Sequence, residues 1–533
     1  MAGTINNGTG RLSRLIVRRD RVRIPLWLTG IAFFTFMVPL AFTELYGSQE
    51  QRDVMALTME NPAMIAMVGP ADLSHYTLGV MTAHQMLLFT AVVVGLMSIL
   101  LVTRHTRGDE ENGRTEMIRS LPVGRLSNLN ATLLVYTMTN IVLALIIGLG
   151  LYVLNIESMD LEGSLLYGAT LGATGIFFAG VTAFFGQVSE SSRGTIGFSI
   201  AILLIAYIVR GIGDVSNATL SWISPLGWVT KTEIYGANNW WPVGLMMGVS
   251  IILFILANYF NAIRDLEAGL LPSRPGRRYA SSFLQGPIGL GLKLQRTGMI
   301  SWAIGMFVLG ASYGSVLGDL DSFFEGNDMM QQMFTSKEGY SATEQFVGVI
   351  MMVMGLFATI PPVMAMNKLY AEEKKSRIDH LLGRAVSRTQ LMASYLVISI
   401  VNGFVMISLA AIGIWSAGVS AMEEPIGFGT IYGMGLVYYP AILVMISVAV
   451  LFIGFLPRLT SLIWLYLVFS FIVLYMGGIF QLSDWIGELT PFGHIPQIPV
   501  EDMTWVPILM LLAIAAVLTV VGFIGFNRRD IQG

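Results

Sequence analysis

Cysteine is absent from the chain, and charged residues are scarce. Among 533 residues there are no Cys and 5 His, and Asp, Glu, Lys and Arg together make up 12%, whereas 54% are hydrophobic. The lack of Cys excludes disulfides, thiolate catalysis and Cys-ligated metal sites. The scattered His residues form no HExxH motif or close pair, which makes a metal enzyme improbable. A soluble domain carries about 25% charged residues, so the composition predicts a membrane protein.

Signatures of nucleotide and nucleic-acid binding are also missing. No GxxxxGK[ST] motif occurs, so the chain lacks the loop with which an ATPase holds phosphates. The formal net charge is −3, and no tract of Lys and Arg is interleaved with aromatic residues, which excludes a basic nucleic-acid binder. No loop approaches the roughly 100 residues of a typical domain. We expect no catalytic residue, no metal and no cofactor bound by this chain.

What the sequence has instead is twelve long apolar runs. Each is close to the ~20 residues that cross a bilayer core as a helix. They lie near residues 25–43, 81–103, 131–154, 164–186, 195–212, 241–260, 299–318, 346–366, 391–415, 430–454, 460–479 and 504–526. The first run is too long for a cleavable signal. The sequence therefore predicts an all-α polytopic membrane protein with twelve transmembrane helices.

Lys and Arg are distributed unevenly between the loops. If the N-terminus is cytosolic, every Lys and Arg lies in an inner segment except Arg52, Arg210, Lys231 and Lys337. This distribution follows the positive-inside rule, and most Trp residues fall at the outer ends of the runs, as in an aromatic belt. We expect both termini to be cytosolic.

The two halves of the sequence match at polar positions. After the second run of each half comes a charged loop, EENGRTEMIRSLPVGR from Glu110 and EEKKSRIDHLLGRAVSR from Glu372. The positions that we pair are Glu110 with Glu372, Glu111 with Glu373, Arg114 with Arg377, Glu116 with Asp379, and Arg125 with Arg388. SPLGW and TPFGH precede the last run of each half, which ends in FNAIRD and FNRRD. Such matches predict a parallel repeat with a pseudo-twofold axis along the membrane normal.

The paired loops carry acids as well as bases. A solvated positive-inside loop explains the Arg residues but not the acidic ones, because the inner leaflet repels acids. We therefore favour a docking surface for a cytosolic partner, with a short charged helix in each loop. In that helix Arg114 and Glu116, or Arg377 and Asp379, would project into the cytosol.

A family resemblance rests on these loops and on three further segments. They are YIVRGIGD (207–214), SPLGW (224–228), and IRDLEAGLLPSRPGR (263–277) leading to LQRTGMISWAIG (294–305). In this order the chain resembles the permease subunit of a type-2 ABC exporter. More closely, it is similar to the fused twelve-span permeases that export polyketide antibiotics, the tetronasin-resistance type.

The resemblance implies an architecture. Residues 1–265 and 290–533 would be two tandem six-helix permease repeats, joined by a cytosolic linker at 266–289. Coupling helices would lie near 106–124 and 368–387. The segments 11–23 and 290–298 would be amphipathic elbow helices on the inner surface of a bacterial cytoplasmic membrane, although the second has few charges.

The resemblance also implies a function. The permease would export bulky hydrophobic or amphiphilic compounds, energised by two copies of a cytosolic ABC ATPase that binds ATP and Mg. Its ATPase-coupling residues here would be Glu110, Glu111, Arg114, Glu116, Glu372, Glu373, Arg377 and Asp379. Alternatives are a secondary ion-coupled multidrug carrier, a membrane enzyme for lipid-linked substrates, and ABC export of a lipid or peptide. The near absence of ionisable residues in the runs argues against the carrier.

The substrate path is harder to locate. Two Met-rich outer loops, residues 55–70 and 323–334, occupy the same place in each half and are candidates for a gate or for packing caps. Met adapts to irregular shapes, so the candidate path residues are Met64, Met67, Met329, Met330 and Met333. Arg210 is a basic residue within the fifth apolar run, residues 195–212. It either contacts an anionic substrate or, as we favour, pairs with Asp214 one turn on.

Overall fold

The computed structural model describes residues 6–266, 268–270, 279–318, 342–383, 386–422, 425–476, 484–498, 501 and 503–530. These ranges contain helices, turns and loops, and no strand is found within them. The chain divides into two compact units, Met1–Gly276 and Arg277–Gly533. The division lies inside the linker predicted at 266–289, and the identification of each unit as a permease repeat stays a prediction.

The first unit is a bundle of long helices with short helices at both ends. Its helices are α1 Thr9–Arg19, α2 Arg23–Leu45, α3 Gln49–Met59, α4 Pro62–Val68, α5 Leu78–His105, α6 Arg107–Glu111, α7 Arg114–Arg119, α8 Ser127–Val153, α9 Leu161–Val188, α10 Ser192–Ser216, α11 Ala218–Ile223, α12 Pro225–Thr230 and α13 Trp241–Ile263. Thr77, Asp160 and Ser191 cap α5, α9 and α10 by accepting from backbone N–H groups of the first turn. Such caps satisfy donors that a helix start leaves free.

Helix α9 forms the centre of this unit. Most of its residues are buried, and it packs against α5, α8 and α13. Gly168 and Gly172 lie so close to α8 that a Cβ at Gly168 would collide with the carbonyl oxygen of Ala144. Small residues allow this approach between membrane helices. Helices α2 and α13, by contrast, expose long apolar faces, as expected of helices in contact with lipid.

The second unit has the same kind of architecture. Its helices are α14 Pro287–Val316, α15 Ala342–Glu373, α16 Asp379–Leu382, α17 Arg388–Ala421, α18 Phe428–Leu436, α19 Tyr439–Phe455, α20 Leu462–Met476, α21 Asp484–Gly487 and α22 Trp505–Arg528. The buried core lies between α15, α17 and α19. Helix α14 packs along α17, and α22 packs along α19.

Twelve helical segments in the described residues are long and apolar enough to cross a membrane. Each coincides with one of the twelve predicted runs, so the predicted number of spans is confirmed. The tenth, Phe428–Phe455, is made of α18 and α19 joined by a short turn. The chain is therefore a multi-pass, all-α membrane protein.

The two predicted elbow helices have different outcomes. At the first position there is a helix, α1, which is separated from α2 by a break at residues 20–22; its place on the inner membrane surface stays a prediction. The prediction of a separate second elbow at 290–298 is wrong, because α14 runs through it without interruption. Leu, Lys, Gln and Arg are good helix formers, and nothing in the stretch from Lys293 to Gln295 stops the helix.

Candidate functional site

The first predicted coupling segment follows α5. Helices α6 and α7 lie within the range predicted for a coupling helix, 106–124. Gly113 joins them with φ of +68°, a left-handed conformation that glycine adopts without strain. In the second unit, the end of α15 and the four-residue helix α16 occupy the corresponding range, 368–387.

Glu110 is buried and paired with arginine. The Arg264 guanidinium, just after α13, donates to both carboxylate oxygens at 2.8 and 2.7 Å. Arg107 lies 3.2 Å from the same carboxylate. The Glu110 side chain is only 6% exposed, so it faces its own unit rather than a partner. Bidentate Arg–carboxylate pairs combine strength with a defined geometry.

An equivalent pair occurs in the second unit. Glu373 accepts from Arg529, just after α22, at 2.5 Å on each oxygen. The Glu373 side chain is 2% exposed. A second arginine completes each arrangement. Arg125 donates to the backbone oxygen of Arg264 at 2.6 Å. In the second unit, Arg388 donates to the backbone oxygen of Arg529 at 2.8 Å. We call Glu110, Arg125 and Arg264 the first latch, and Glu373, Arg388 and Arg529 the second latch.

Each latch joins the ends of four spanning helices of its unit. In the first unit these are the span formed by α5 and α6, the start of α8, the end of α13 and the end of α9. At the end of α9, Gln187 accepts from Arg264 at 2.6 Å. In the second unit they are α15, α17, α22 and α19, where the Ile453 backbone oxygen accepts from Arg529 at 3.0 Å. The same connections are therefore made twice within the chain.

The contacts shift the pairing of the acidic residues by one position and leave the predicted pairing of Arg114 with Arg377 unchanged. Asp109 accepts from Arg114 at 3.0 Å, and Glu372 accepts from Arg377 at 3.2 Å. Asp109 thus corresponds to Glu372, and Glu110 corresponds to Glu373 rather than to Glu372. The predicted pairing aligned the letters EE with EE, whereas the contacts align DE with EE.

The remaining predicted coupling residues lie on the surface. Arg114, Glu116, Arg377 and Asp379 are exposed, as expected. Glu111 is exposed as well, but its carboxylate accepts from the backbone N–H of Ser192 at 2.8 Å and so caps the start of α10. Next to these charges, the apolar side chains of Met117 and Leu121 are 71% and 58% exposed. An exposed Met and Leu among charged groups are typical of a docking surface.

A buried polar network joins the first predicted coupling segment to helix α1. Arg19 donates to both oxygens of Asp109 at 2.6 and 2.9 Å. The Nε2 atom of His105 lies 2.8 Å from Asp20, and the Tyr136 hydroxyl donates to the same oxygen at 2.7 Å. Burial alone would raise the pKa of Asp20, but the hydrogen bonds from His105 and Tyr136 lower it overall. Asp20 therefore remains an anion and fixes the joint between α1 and α2.

Arg210 is fully buried and takes the structural role that we favoured. It pairs with Asp214 at 3.0 Å and donates to the backbone oxygens of Ala66 and Met67 at 2.6 and 3.1 Å. These bonds hold the end of α4 against α10. Met64 packs in a small apolar cluster at this end of the unit, and the Met67 side chain is 40% exposed. Their place in a substrate path stays a prediction, and Met329, Met330 and Met333 lie outside the described residues.

Sequence reasoning missed the partners of the predicted residues. Arg264 and Arg529 stood in the matched endings FNAIRD and FNRRD, so the signal for the latches was present in the sequence. The signal for the polar network was Asp20, the single acid in an otherwise basic N-terminal segment. Within the described ranges, no group of three or more His, Cys, Asp or Glu is arranged to hold a metal ion.

Comparisons with known proteins identify the family. The family model described as the C-terminal domain of the multidrug efflux system permease Rv1217c matches residues 12–260 and 284–527. The multidrug efflux system permease protein Rv1217c of Mycobacterium tuberculosis (strain ATCC 25618 / H37Rv) is 35% identical over 532 residues, which is 98% of this chain and 95% of that protein. These matches agree with the resemblance found in the sequence and point to a transport subunit. The chain belongs to the family of multidrug efflux system permeases.

Proposed function

We propose that this chain is the membrane subunit of an ATP-driven exporter. It moves bulky hydrophobic or amphiphilic compounds, such as polyketide-like antibiotics, out of the cell. Two copies of a separate cytosolic ATPase bind ATP and Mg²⁺ and dock on the two coupling segments. Both termini lie in the cytosol.

The two latches carry this proposal. A docking surface drives transport only if its movement reaches the helices that line the path. In the first unit, the segment with exposed Arg114 and Glu116 is tied through Glu110 and Arg264 to the last spanning helix. Because a buried bidentate ion pair resists separation, a push on the segment moves α5, α8, α9 and α13 together.

Two docking sites in one chain follow from the repetition. The second latch makes the same connections as the first, between the segment before α17 and the end of α22. The stretches matched by the family model, 12–260 and 284–527, nearly coincide with the two proposed repeats. Both observations support one permease chain that serves two ATPase copies.

A secondary carrier is the main alternative. A carrier driven by protons or sodium needs an ionisable group at membrane depth to bind the coupling ion. In the described spanning helices, ionisable residues concentrate near the ends, and Arg210 and Asp214 in α10 are paired with each other. The ion-coupled mechanism therefore lacks an obvious site in these helices.

Transport in membrane vesicles tests the energy source. Inside-out vesicles that contain the chain and its co-expressed ATPase should accumulate the neutral dye Nile red when ATP is present, and a protonophore should not abolish this uptake. Vesicles with the chain but without the ATPase are the control and should show no uptake. Collapse of uptake by the protonophore while ATP is present would establish the carrier instead.

Purification tests the stoichiometry. The chain alone should hydrolyse no ATP, because it lacks the phosphate-binding loop. The complex should contain two ATPase copies for each permease chain, as measured by native mass spectrometry. A stable complex with a single ATPase copy would refute the twofold docking. If the same vesicles export labelled lipids or peptides, the proposed cargo would be wrong, whereas the proposed energy source would stand.

A further inference from the structure

The first unit contains a cavity that none of the predicted site residues explains. Its volume is about 460 Å³, within the range of small-molecule sites. It lies at the end of the unit opposite to the first latch, which is the outer end in the proposed topology. Its walls are the segment after α4, the first turns of α5, and residues 230–237 after α12.

The inner part of the cavity is apolar. Ala83, Leu87, Leu88 and Ile234 line it and are at most 6% exposed. His84 also lines it, but both ring nitrogens have partners: Nε2 lies 2.8 Å from the Gly69 carbonyl oxygen and Nδ1 lies 2.9 Å from the Tyr76 hydroxyl. A ligand that enters this part therefore meets hydrocarbon and satisfied polar groups, which favours an apolar body.

The mouth of the cavity is acidic. Asp72 and Glu233 are exposed lining residues, and neither Lys nor Arg occurs among the described residues that line the cavity. The hydrogen bonds from the Ser74 hydroxyl and backbone N–H lower the pKa of Asp72, so its carboxylate is charged at neutral pH. Arg210, in the neighbouring helix α10, is neutralised by Asp214. The mouth therefore attracts cations.

One wall of the cavity is a strained loop. Glu233 and Tyr235 have φ of +46° and +61°, and Asn238 follows with +49°. Left-handed conformations are costly for residues other than glycine and cluster at ligand clamps. The loop is held in place because the Tyr235 hydroxyl lies 2.9 Å from the Ser164 hydroxyl and the Asn238 side chain accepts from the Tyr235 N–H at 2.8 Å.

Aromatic residues place this loop at the level of the membrane surface. Trp240 and Trp241 follow it directly and are 43% and 52% exposed. Trp241 stacks on Trp222 with ring centroids 4.9 Å apart. Exposed Trp residues at the ends of spanning helices mark the membrane–water interface. A cavity at this level can accept a molecule with an apolar body in the bilayer and a charged end in water.

We propose that this cavity binds an amphiphilic organic cation, with the apolar body against Leu87, Leu88 and Ile234 and the positive charge beside Asp72 and Glu233. Its interpretation as a cargo site on the exit side rests on the proposed export function. Binding itself does not depend on that function. It can therefore be measured on the chain alone.

The test compares two probes of similar size and opposite charge. Tetraphenylphosphonium and tetraphenylborate are titrated onto the purified full-length chain in nanodiscs, with binding measured by equilibrium dialysis against empty nanodiscs. The expected result is saturable binding of the cation and at least tenfold weaker binding of the anion. Equal binding of the two ions would overturn the proposal.

Variants locate the site. Replacing both Asp72→Asn and Glu233→Gln should weaken cation binding about fivefold, since each exposed charge contributes modestly. Ala71→Trp, at the mouth, should block binding by filling the entrance. Glu157→Gln is the matched control, because this exposed carboxylate is not among the lining residues and should bind the cation like the unmodified chain. Unchanged binding in both the double variant and Ala71→Trp would overturn the proposal.

The vesicle assay separates this proposal from the export function. If ATP-driven Nile red uptake is intact while the cation fails to bind, the cavity proposal is wrong and the export function stands. If the cation binds as expected while uptake collapses with a protonophore, the export function as proposed is wrong and the binding site stands.

Discussion

The first spanning helices of the two units are held by different kinds of contact. In the first unit, α2 follows the short helix α1, and the network of Asp20 with His105 and Tyr136 fixes the joint between them. In the second unit, α14 has no joint. Instead, Gly310 and Gly314 lie against α17 so closely that a Cβ at either would collide with a backbone carbonyl oxygen of Ala410 or Ile414.

The space beside α2 differs from the space beside α14. The contacts of Gly310 and Gly314 bring the last third of α14 against the α17 backbone. The polar network acts only at the start of α2, and an apolar groove of about 450 Å³ remains between α2 and α5, lined by residues that include Trp27, Phe34 and Phe89. Helix α2 also packs through its buried residues Ile31, Thr35 and Pro39, so the groove lies beside a helix that is held at its start and along one face.

The latches are the feature that both units share, and breaking them should have the largest effect. Glu110→Gln leaves two buried arginines, Arg107 and Arg264, without a full counter-charge, which costs about 3–5 kcal/mol of unfolding free energy. Glu373→Gln leaves only Arg529, whose side chain is 16% exposed, so we expect a smaller loss. Thermal unfolding of each purified variant in detergent measures the difference.

Glu111→Gln is the control for the latch experiment. Its carboxylate is exposed and caps α10, so its removal should change stability by at most about 1 kcal/mol. Equal unfolding temperatures for Glu110→Gln and Glu111→Gln would show that the first latch does not stabilise the unit.

The glycine contacts of α14 can be tested against a glycine of α2. Gly310→Leu should cost about 3 kcal/mol, because the side chain would press on the α17 backbone. Gly30→Leu should be nearly neutral, since nothing lies within 4 Å of a Cβ there and the residue borders the groove beside α2. Size-exclusion chromatography after heating reports the folded fraction of both. A similar loss at Gly30 would mean that α2 is packed as tightly as α14.

The polar network should respond to pH. Asp20→Asn should cost about 2 kcal/mol at neutral pH by removing charge-assisted hydrogen bonds. Because the pKa of Asp20 is lower in the folded chain than its ordinary value of 3.8, the carboxylate stabilises the fold above pH 3.8. That contribution is lost as the pH falls through the folded pKa.

The measurement compares unfolding temperatures of the Asp20→Asn variant and the unmodified chain. The gap between them should be constant near neutral pH and narrow below pH 3.8. The control is Gln295→Ala in α14, which lies seven residues before Trp302 as Asp20 lies seven residues before Trp27; it should leave the pH profile unchanged. A gap that stays constant at low pH would indicate that Asp20 is not charged in the folded protein.

The exposed acids of the coupling segments should have the smallest individual effects. Glu116→Lys or Asp379→Lys should weaken ATPase docking about two- to fivefold, as expected for an exposed ion pair at an interface. The double variant should abolish coupled transport, because both docks are weakened. Co-purification of the ATPase and drug-stimulated ATP hydrolysis measure this, with the amount of chain in the membrane as control. Full transport activity of the double variant would show that the ATPase does not dock on these loops.

Sequence patterns predicted the spans because membrane insertion is a local property. A run such as residues 164–186 must be apolar over about 20 residues whatever its neighbours are, and α9 is found there. The sequence placed Glu110 in a charged loop but did not predict its burial, since that burial depends on Arg264, which lies 154 residues further along the chain. The prediction of a second elbow helix at 290–298 was wrong for a related reason. The weak amphipathic pattern of these residues did not specify where a helix would break.

The sequence by itself determined the class of this protein, its twelve apolar spans and the places where charge gathers, because hydropathy and charge act residue by residue. Only the tertiary structure decided which charges face outward and which are paired inside. Glu110 and Glu116 are both glutamates of one short loop, yet the first holds the bundle together and the second lies exposed. The tertiary structure also formed the cavity of the first unit, because segments distant in sequence, around Asp72 and Glu233, make up its mouth.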